Sequence, residues 1–289
     1  MTHDPYLAHR SLLFTVAYEM LGSAADADDV VQETWLRWAD VDQSEVLDPR
    51  AYLVRIVTRQ ALNRLRTVSR RREDYVGEWL PEPLLTSPDV ADDVELAESV
   101  SMAMLTVLET LTPIERAVFV LREVFDVPYA EIAAALDKDT AAVRQVAHRA
   151  RDHVAARRPR MKVDRSEQQR VVERFLAALT SGDVRGLMEV LAPDVVVVAD
   201  GGGQVAAARR PVVGADKVAA FLSKFSPFAP AAAVDTLWVN GALGGRIVLD
   251  GELNTVMSFV VDNGRISRIY AVRNPYKLGR LDEEAVLAR

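Results

Sequence analysis

The sequence has 289 residues, of which 49% are apolar and 27% are charged, and this composition is typical of a globular protein with two or three domains. The chain contains no cysteine, which excludes disulfides, thiolate metal sites and a cysteine nucleophile. No apolar run approaches the roughly 18 residues that a membrane helix needs, and residues 1–5 show no signal-peptide pattern. We therefore expect a cytoplasmic protein that does not bind a membrane.

The formal net charge is −7, but positive charge is concentrated in two segments. Residues 50–72 contain eight arginines and no acidic residue, and residues 144–162 contain six arginines and one lysine against a single acid, Asp152. In an acidic protein such segments predict two phosphate-binding surfaces. The alternative for each segment is a solvated helix face.

Residues 9–72 have helical periodicity throughout. Apolar residues recur at helical spacing in residues 12–21, Gly22 ends this helix, and the acids of residues 26–29 open the next one. After a polar loop at residues 40–48, Pro49 suits the first turn of a third helix that reaches about residue 72. These helices predict a first domain at residues 1–73.

Residues 74–93 lack this periodicity, and Pro81, Pro83 and Pro88 disfavour a helix there. We predict an interdomain linker, although Trp79 and Leu80 are apolar anchors that favour burial. Helical periodicity returns at residue 94 and continues to about residue 158, which predicts a second helical domain at residues 94–160.

The most informative part of the second domain is residues 128–151, with the sequence PYAEIAAALDKDTAAVRQVAHRAR. A first helix ends near Leu136, a polar turn follows, and a second helix begins near Thr140. This pattern predicts a helix-turn-helix, and a plain helical hairpin is the alternative. The outward residues of the second helix can donate to base edges or phosphates, and they are Arg144, Gln145, His148 and Arg149.

Two further motifs identify a family. Residues 111–119 (LTPIERAVF) and 128–151 resemble the C-terminal DNA-binding region of extracytoplasmic-function (ECF) sigma factors, and residues 26–35 (DADDVVQETW) resemble their polymerase-binding helix. The family often has Gly where this chain has Asp137, a residue type that tolerates a left-handed backbone.

The resemblance implies that the partners are core RNA polymerase and promoter DNA. The helix-turn-helix would read the minus-35 element. Core polymerase would dock on residues that share one face of the second helix, namely Asp29, Gln32, Glu33 and Leu36.

The resemblance also assigns residues 50–72 to the opening and reading of the minus-10 element. The chemistry suits single-stranded DNA, because arginines track phosphates while amide side chains and the loop at residues 40–48 can probe an unstacked base. The expected minus-10 contacts are Arg55, Arg59, Gln60, Asn63 and Arg66.

After residue 160 the pattern changes to two helices, near residues 166–180 and 183–191, followed by five strand-like runs with a helix near residues 215–225 between them. Asp250-Gly251 and Asn263-Gly264 suit two-residue hairpin turns, so the last three strands should form an antiparallel meander. The expected fold is therefore multidomain: two all-α sigma domains, then an α+β domain with a curved antiparallel sheet at residues 165–289. This last domain resembles the cone-shaped SnoaL-like fold of polyketide cyclases and ketosteroid isomerases.

Three short stretches, at residues 79–83 (WLPEP), 200–203 (DGGG) and 274–278 (NPYKL), resemble signatures of an ECF subgroup in which a SnoaL-like domain is fused as a regulator. Family forms often have Arg and Asp where this chain has Gln204 and Tyr276. Since glycines allow close backbone approach, we hypothesise that the last domain meets the linker. The expected regulatory contacts are Trp79, Leu80, Asp200, Gly201, Gly202, Gly203, Asn274 and Lys277.

The leading hypothesis is a sigma factor modulated by its own C-terminal domain, with no metal, cofactor or catalytic residue. One alternative is a DNA-binding regulator that does not engage polymerase. Another is an enzyme or a sensor of a polyketide- or steroid-like small molecule. The C-terminal domain has no histidine, so a general base there would be a carboxylate or a tyrosine from the set Asp200, Asp235, Asp250, Tyr270 and Tyr276.

Overall fold

A computed structural model describes residues 4–73, 75–158, 165–225 and 231–289, with the side chains of all of these except residues 69–73. The chain forms two compact units. The helical unit comprises Met1–Asp74, Asp92–Arg158 and Val286–Arg289, and the C-terminal unit comprises Tyr75–Ala91 and Pro159–Ala285. Most of the expected linker thus groups with the C-terminal domain. The expected boundaries at residues 74 and 160 lie outside the described residues.

The two helical domains predicted from the sequence both lie within this one compact unit, as a first group of helices at residues 4–73 and a second group at residues 94–158. In its described part the helices are α1 (Pro5–Leu21), α2 (Ala24–Ala39), α3 (Pro49–Glu73), α4 (Val94–Ser99), α5 (Met102–Leu108), α6 (Pro113–Phe119), α7 (Tyr129–Leu136) and α8 (Thr140–Arg157), with a π-helical turn at Val120–Val124. None of the described helices is long and apolar enough to cross a membrane.

Local capping explains where the first two helices begin and end. The Asp4 carboxylate accepts the Tyr6 N–H at the start of α1 (2.9 Å), and Gly22 ends that helix with φ 66°. Ser23 caps α2 by accepting the Asp26 N–H (3.2 Å). The acids of residues 26–29 are therefore not the cap, but their charge interacts favourably with the positive end of the helix dipole. All side chains of residues 12–21 are buried, which makes α1 the central helix of this unit.

The helix-turn-helix is formed by α7 and α8. Asp137 adopts the left-handed conformation between them (φ 54°, ψ 51°), and Asp139 caps α8 by accepting the Ala142 N–H (2.7 Å). Ile132 on α7 and Val143 on α8 are fully buried where the two helices pack. The turn therefore forms without a glycine.

A short segment at the end of the chain belongs to the helical unit. The Ala288 N–H donates to the Thr15 hydroxyl on α1 (3.1 Å), and the Arg289 guanidinium pairs with Asp93 beside α4 (3.2 Å). Residues 286–289 therefore contact both groups of helices.

A buried polar junction joins α1 to α4 and α6. The Ser99 hydroxyl donates to Glu19 Oε1 (2.7 Å), the Arg116 Nε donates to the Glu19 carbonyl oxygen (2.9 Å), and the Arg116 Nη1 pairs with Glu109 (2.7 Å). Burial raises the pKa of Glu19 to about 8, opposed by the Ser99 hydrogen bond and the Arg116 charge, and burial lowers the pKa of Arg116 to about 9. Burial therefore favours the neutral form of the Glu19 carboxyl group.

We expect Glu19 to make the stability of the helical unit depend on pH. Its pKa lies near 8 in the fold against 4.5 in an ordinary glutamate, so folding takes up a proton between these values and the free energy of unfolding falls as the pH rises through this window. Glu19→Gln should flatten this fall, measured by urea unfolding at about pH 5, 7 and 8.

Glu131→Gln is the matched control for this experiment, because Glu131 is an exposed glutamate on α7. It should keep the wild-type pH dependence. An unchanged slope in Glu19→Gln would show that the Glu19 carboxyl is not held neutral.

The C-terminal unit is an α+β domain. Its described elements are α9 (Arg165–Ser181), α10 (Val184–Val190), β1 (Leu191–Asp200), β2 (Val212–Val213), α11 (Ala215–Leu222), β3 (Ala232–Val239), β4 (Ala242–Leu249), β5 (Glu252–Asp262), β6 (Arg265–Val272) and α12 (Pro275–Leu278).

The strands form one sheet in the order β2-β1-β6-β5-β4-β3. The predicted antiparallel meander is confirmed and also includes β3, with turns at residues 240–241, 250–251 and 263–264 whose first residues have φ 51°, 52° and 48°. However, β1 pairs in parallel with β6, so the whole sheet is mixed rather than antiparallel. The chain between β1 and β6 passes through β2, α11 and β3–β5, a connection long enough for this parallel pairing.

The core of the C-terminal unit lies between α9–α11 and one face of the sheet. Phe175 on α9 packs edge-on against Phe259 on β5, with ring centroids 5.2 Å apart. A Cβ on Gly245 would lie 2.7 Å from Leu176, so the glycine allows α9 to approach the sheet closely. Asp200, at the end of β1, is not part of this hydrophobic core and contacts the linker.

Candidate functional site

The second helix of the helix-turn-helix, α8, presents the four predicted minus-35 residues on one exposed face. The opposite face, with Val143, Val146, Ala147 and Ala150, is buried. Two of the exposed side chains have acidic neighbours: His148 Nδ1 lies 2.9 Å from Asp152, and Arg149 Nε lies 3.8 Å from Glu115. The helix therefore exposes a mainly basic surface of the kind that enters a major groove.

The predicted minus-10 residues lie along α3, but they differ in environment. Gln60 is half-buried, whereas Asn63 and Arg66 are exposed. The guanidinium of Arg55 lies over the Tyr52 ring, 5.0 Å from its centroid. The side chains of Arg70, Arg71 and Arg72, which belong to the predicted basic segment, lie outside the described residues.

Arg59 makes a contact that the sequence did not predict. Its Nε donates to the Ala135 carbonyl oxygen (2.8 Å) and its Nη2 to the Ala134 carbonyl oxygen (2.9 Å). These carbonyls end α7, so a cation stabilises them and the negative end of the helix dipole. One residue of the predicted minus-10 surface is therefore bound to the helix-turn-helix.

The predicted polymerase face lies on α2. Gln32, Glu33 and Leu36 are exposed, and Leu36 keeps 53% of its surface. Asp29 pairs with Arg64 Nη2 (3.0 Å), whose Nε donates to Asp26 (2.7 Å). Asp29 is thus already part of an ion pair within the helical unit, and its side chain remains 58% exposed.

The C-terminal unit contains a second candidate site, around the buried carboxylate of Asp200 at the end of β1. Its Oδ2 accepts hydrogen bonds from the Leu80 N–H (2.9 Å) and the Lys277 ammonium (2.7 Å). Its Oδ1 accepts from the Tyr75 hydroxyl (2.6 Å) and the Gly202 N–H (3.0 Å). Both oxygens are therefore satisfied, and three of the four donors come from outside the loop that follows Asp200.

Lys277 neutralises this carboxylate from α12. Its ammonium also donates to the Leu80 carbonyl oxygen (2.5 Å) and lies over the Trp79 ring, 3.1 Å from the centroid, with the Tyr75 ring at 5.0 Å. A buried ammonium needs such compensation, and cation–π contact with tryptophan supplies part of it. Residues 75–80 therefore enclose the ion pair.

Asn274 and the glycines complete this linker cluster. The Asn274 amide donates to the Tyr75 hydroxyl (2.8 Å), and burial together with the Asp200 hydrogen bond raises the pKa of Tyr75. A Cβ on Gly202 (φ 60°) would lie 2.3 Å from Asn274, and one on Gly203 (φ 70°) would lie 3.1 Å from Val76. Gly201 is buried beside them. The structure thus brings all eight predicted regulatory residues together.

The linker makes a second set of contacts with the turn between β3 and β4. The Asn240 side chain accepts the Leu84 N–H (3.1 Å), its backbone N–H donates to the Leu84 carbonyl (3.0 Å), and the Gly241 N–H donates to the Thr86 hydroxyl (3.1 Å). Asn240, Thr86 and Tyr75 were not among the contacts predicted from the sequence. Asn240-Gly241 carried a turn signal, but nothing in the sequence indicated that this turn binds the linker.

Departures from the family signatures do not affect the ion pair. Gln204 and Tyr276 are exposed, and the pair is made by Asp200 and Lys277 instead.

The candidate general bases also have structural roles. Asp200 holds the linker, Asp235 pairs with Arg246 (2.6 Å), and Asp250 lies in a hairpin turn. Tyr270 is buried and Tyr276 is exposed.

Comparison with known proteins defines the class first. The chain matches the family models of Sigma-70 region 2 at residues 6–71, Sigma-70 region 4 at residues 101–154 and a SnoaL-like domain at residues 172–269. The two sigma matches cover the helices that carry the promoter-binding and polymerase-binding candidates.

Full-length relatives define the family. The chain is 39% identical over 291 residues to the ECF RNA polymerase sigma factor SigJ of Mycobacterium tuberculosis, covering 96% of this chain and 93% of that protein. It is 32% identical to the probable ECF RNA polymerase sigma factor SigI of that species, covering 98% of each. The crystal structure of SigJ matches with a TM-score of 0.77 and 36% identity over 95% of this chain and 97% of that chain. The chain belongs to the ECF sigma factor family, whose members bind core RNA polymerase and initiate transcription at specific promoters.

We expect binding of the linker to the C-terminal domain to depend on the buried ion pair. Lys277→Met should leave the Asp200 carboxylate buried without its cation, at a cost of about 3–5 kcal/mol, whereas Asp200→Asn/Lys277→Met should cost less because both charges are gone. Urea unfolding measures the cost, and hydrogen exchange of the Leu80 N–H shows whether the linker is released. Lys217→Met, which removes an exposed lysine of the same unit, should change neither. Equal stability of the single and double variants would contradict this account.

Proposed function

We propose that this sigma factor reads the minus-35 element with Arg144, Gln145, His148 and Arg149 and the minus-10 element with residues of α3. The face of α2 around Gln32, Glu33 and Leu36 docks on core RNA polymerase, and the exposed apolar surface of Leu36 supports this assignment. The protein acts where polymerase and promoter DNA are present, in the cytoplasm. The C-terminal domain regulates rather than catalyses, and no small-molecule ligand is assigned to it.

Promoter geometry requires the two DNA-binding surfaces to separate. The minus-10 and minus-35 elements lie about 25 base pairs apart, which is roughly 85 Å of B-DNA. A compact body of the size of the helical unit has a radius of gyration of only about 15 Å. Arg59 on α3 must therefore leave the carbonyls of α7, and its guanidinium then becomes available to DNA.

The linker limits this separation. A free segment of residues 74–93 could extend to at most about 70 Å. In the C-terminal unit, however, the segment is bonded at Leu80, Leu84 and Thr86, so its two ends cannot move apart freely. A docked linker therefore lets the C-terminal domain limit how far apart the two sigma regions can move.

One observation carries this proposal: both backbone groups of Leu80 bond to the buried ion pair. Its N–H donates to Asp200 and its carbonyl accepts from Lys277. The linker therefore cannot dissociate from the domain without breaking both hydrogen bonds to the ion pair. A covalently tethered domain acts at high effective concentration, which favours the docked state.

We expect the recognition helix to determine minus-35 preference. Alanine at Arg144, Gln145, His148 or Arg149 should cost about 1–3 kcal/mol wherever the residue reads a base, and should relax specificity at that position only. Transcription from promoters with a randomised minus-35 element measures this. Arg157→Ala removes an exposed arginine outside this face of α8 and should leave the preference unchanged. If none of the four alanine variants changes the preference, the assignment of α8 is wrong.

We expect linker docking to set tolerance to promoter spacing. Wild-type protein should prefer a narrow range of distances between the minus-10 and minus-35 elements, and Trp79→Ala should broaden that range because the linker loses its packing over Lys277. Transcription with core polymerase on promoters of graded spacing measures the effect. Tyr276→Ala removes an exposed ring beside Lys277 and should behave as wild type. Identical spacing profiles for wild type and Trp79→Ala would refute regulation through the linker.

A further inference from the structure

Tyr129, at the start of α7, contacts two guanidinium groups with its ring. The Arg122 Cζ lies 4.9 Å from the ring centroid and the Arg144 Cζ lies 5.7 Å from it. Both distances fall within the roughly 6 Å range of a cation–π interaction. Arg122 belongs to the π-helical turn, and Arg144 belongs to the recognition helix, so the ring connects the two.

Arg122 anchors one side of this arrangement. Its Nη1 pairs with Asp126 (2.8 Å) and donates to the Val127 carbonyl oxygen (3.2 Å), both in the segment that leads into α7. The helix start has no side-chain cap, since Pro128 occupies the N-cap position. The ring of Tyr129 therefore rests against a cation that is itself held in place.

Arg144 differs from its neighbours on the recognition face. His148 is paired with Asp152 and Arg149 lies near Glu115, whereas within the described part of the chain no carboxylate pairs with Arg144. Its contact is the Tyr129 ring. A carboxylate partner would occupy the N–H fork that an arginine needs for bidentate contact with a guanine, but a ring contacts the flat face of the guanidinium and leaves the fork available.

We propose that Tyr129 is a positioning residue for minus-35 recognition, which orients the Arg144 guanidinium toward one base pair without competing for its donors. The proposal rests on the proposed function, in which Arg144 reads a base. An exposed arginine loses much of its rotamer freedom when it binds, and a side chain already oriented loses less. The ring is the operative part of Tyr129, and its hydroxyl is not required.

The test compares full-length variants with core polymerase on promoters with a randomised minus-35 element. Arg144→Ala should relax discrimination at one base pair. Tyr129→Leu and Tyr129→Met should relax the same base pair, by about two- to fivefold, because they keep an apolar side chain but lose the π face. Tyr129→Phe, the matched control, should match wild type, and Tyr129→Leu/Arg144→Ala should be no worse than Arg144→Ala.

Other results overturn the inference. Wild-type discrimination in both Tyr129→Leu and Tyr129→Met, a loss at a different base pair, or a uniform loss on all promoters would show that Tyr129 does not act through Arg144. A loss in Tyr129→Phe would assign the effect to the hydroxyl. If Arg144→Ala leaves the discrimination at every base pair unchanged, the assignment of Arg144 in the proposed function fails and this inference fails with it. If Arg144→Ala relaxes discrimination but the Tyr129 variants do not, only the inference fails.

Discussion

The C-terminal unit depends on the buried ion pair of Asp200 and Lys277. A carboxylate and an ammonium removed from water are costly unless each is paired and its remaining hydrogen-bonding capacity is used. The domain supplies the two charges, but the linker supplies the Leu80 backbone groups, the Tyr75 hydroxyl and the Trp79 ring. The domain is therefore complete only with the linker, and the two DNA-binding regions are joined through a segment that belongs to a third domain.

The helical unit buries a carboxyl group in a different way. Burial raises the pKa of Glu19 to about 8 although the Arg116 charge and the Ser99 hydrogen bond oppose this rise, and the Arg116 guanidinium pairs with Glu109. A neutral acid is less costly to bury than an ion, and it ionises and is hydrated once the surrounding helices separate. The two units thus bury a carboxyl group by different means: a raised pKa at Glu19 in the helical unit and an ion pair at Asp200 in the C-terminal unit.

Local signals allowed much of the fold to be predicted from the sequence. Pro49 begins a helix, Gly22 ends one, and Asn263-Gly264 forms a hairpin turn, because each of these signals acts through the backbone preference of the residue itself. The parallel pairing of β1 with β6 and the binding of Leu84 by Asn240 depend on residues far apart in the chain, so no local pattern indicates them. The eight residues predicted as regulatory contacts come from a family resemblance, which carries tertiary information that periodicity lacks.

Internal bonds of the basic surface also bear on selectivity. Non-specific DNA binding grows with the number of phosphates that arginines and lysines neutralise. In the free chain Arg59 is bound to the end of α7 and Arg64 to Asp26 and Asp29, so two arginines of α3 are already engaged within the protein. Any DNA contact by Arg59 must replace its two hydrogen bonds, which lowers its net contribution to non-specific binding. Under the proposed function, separation of the sigma regions on polymerase frees Arg59 from α7, so its full contribution to DNA affinity is expected only where the promoter and the polymerase are engaged together.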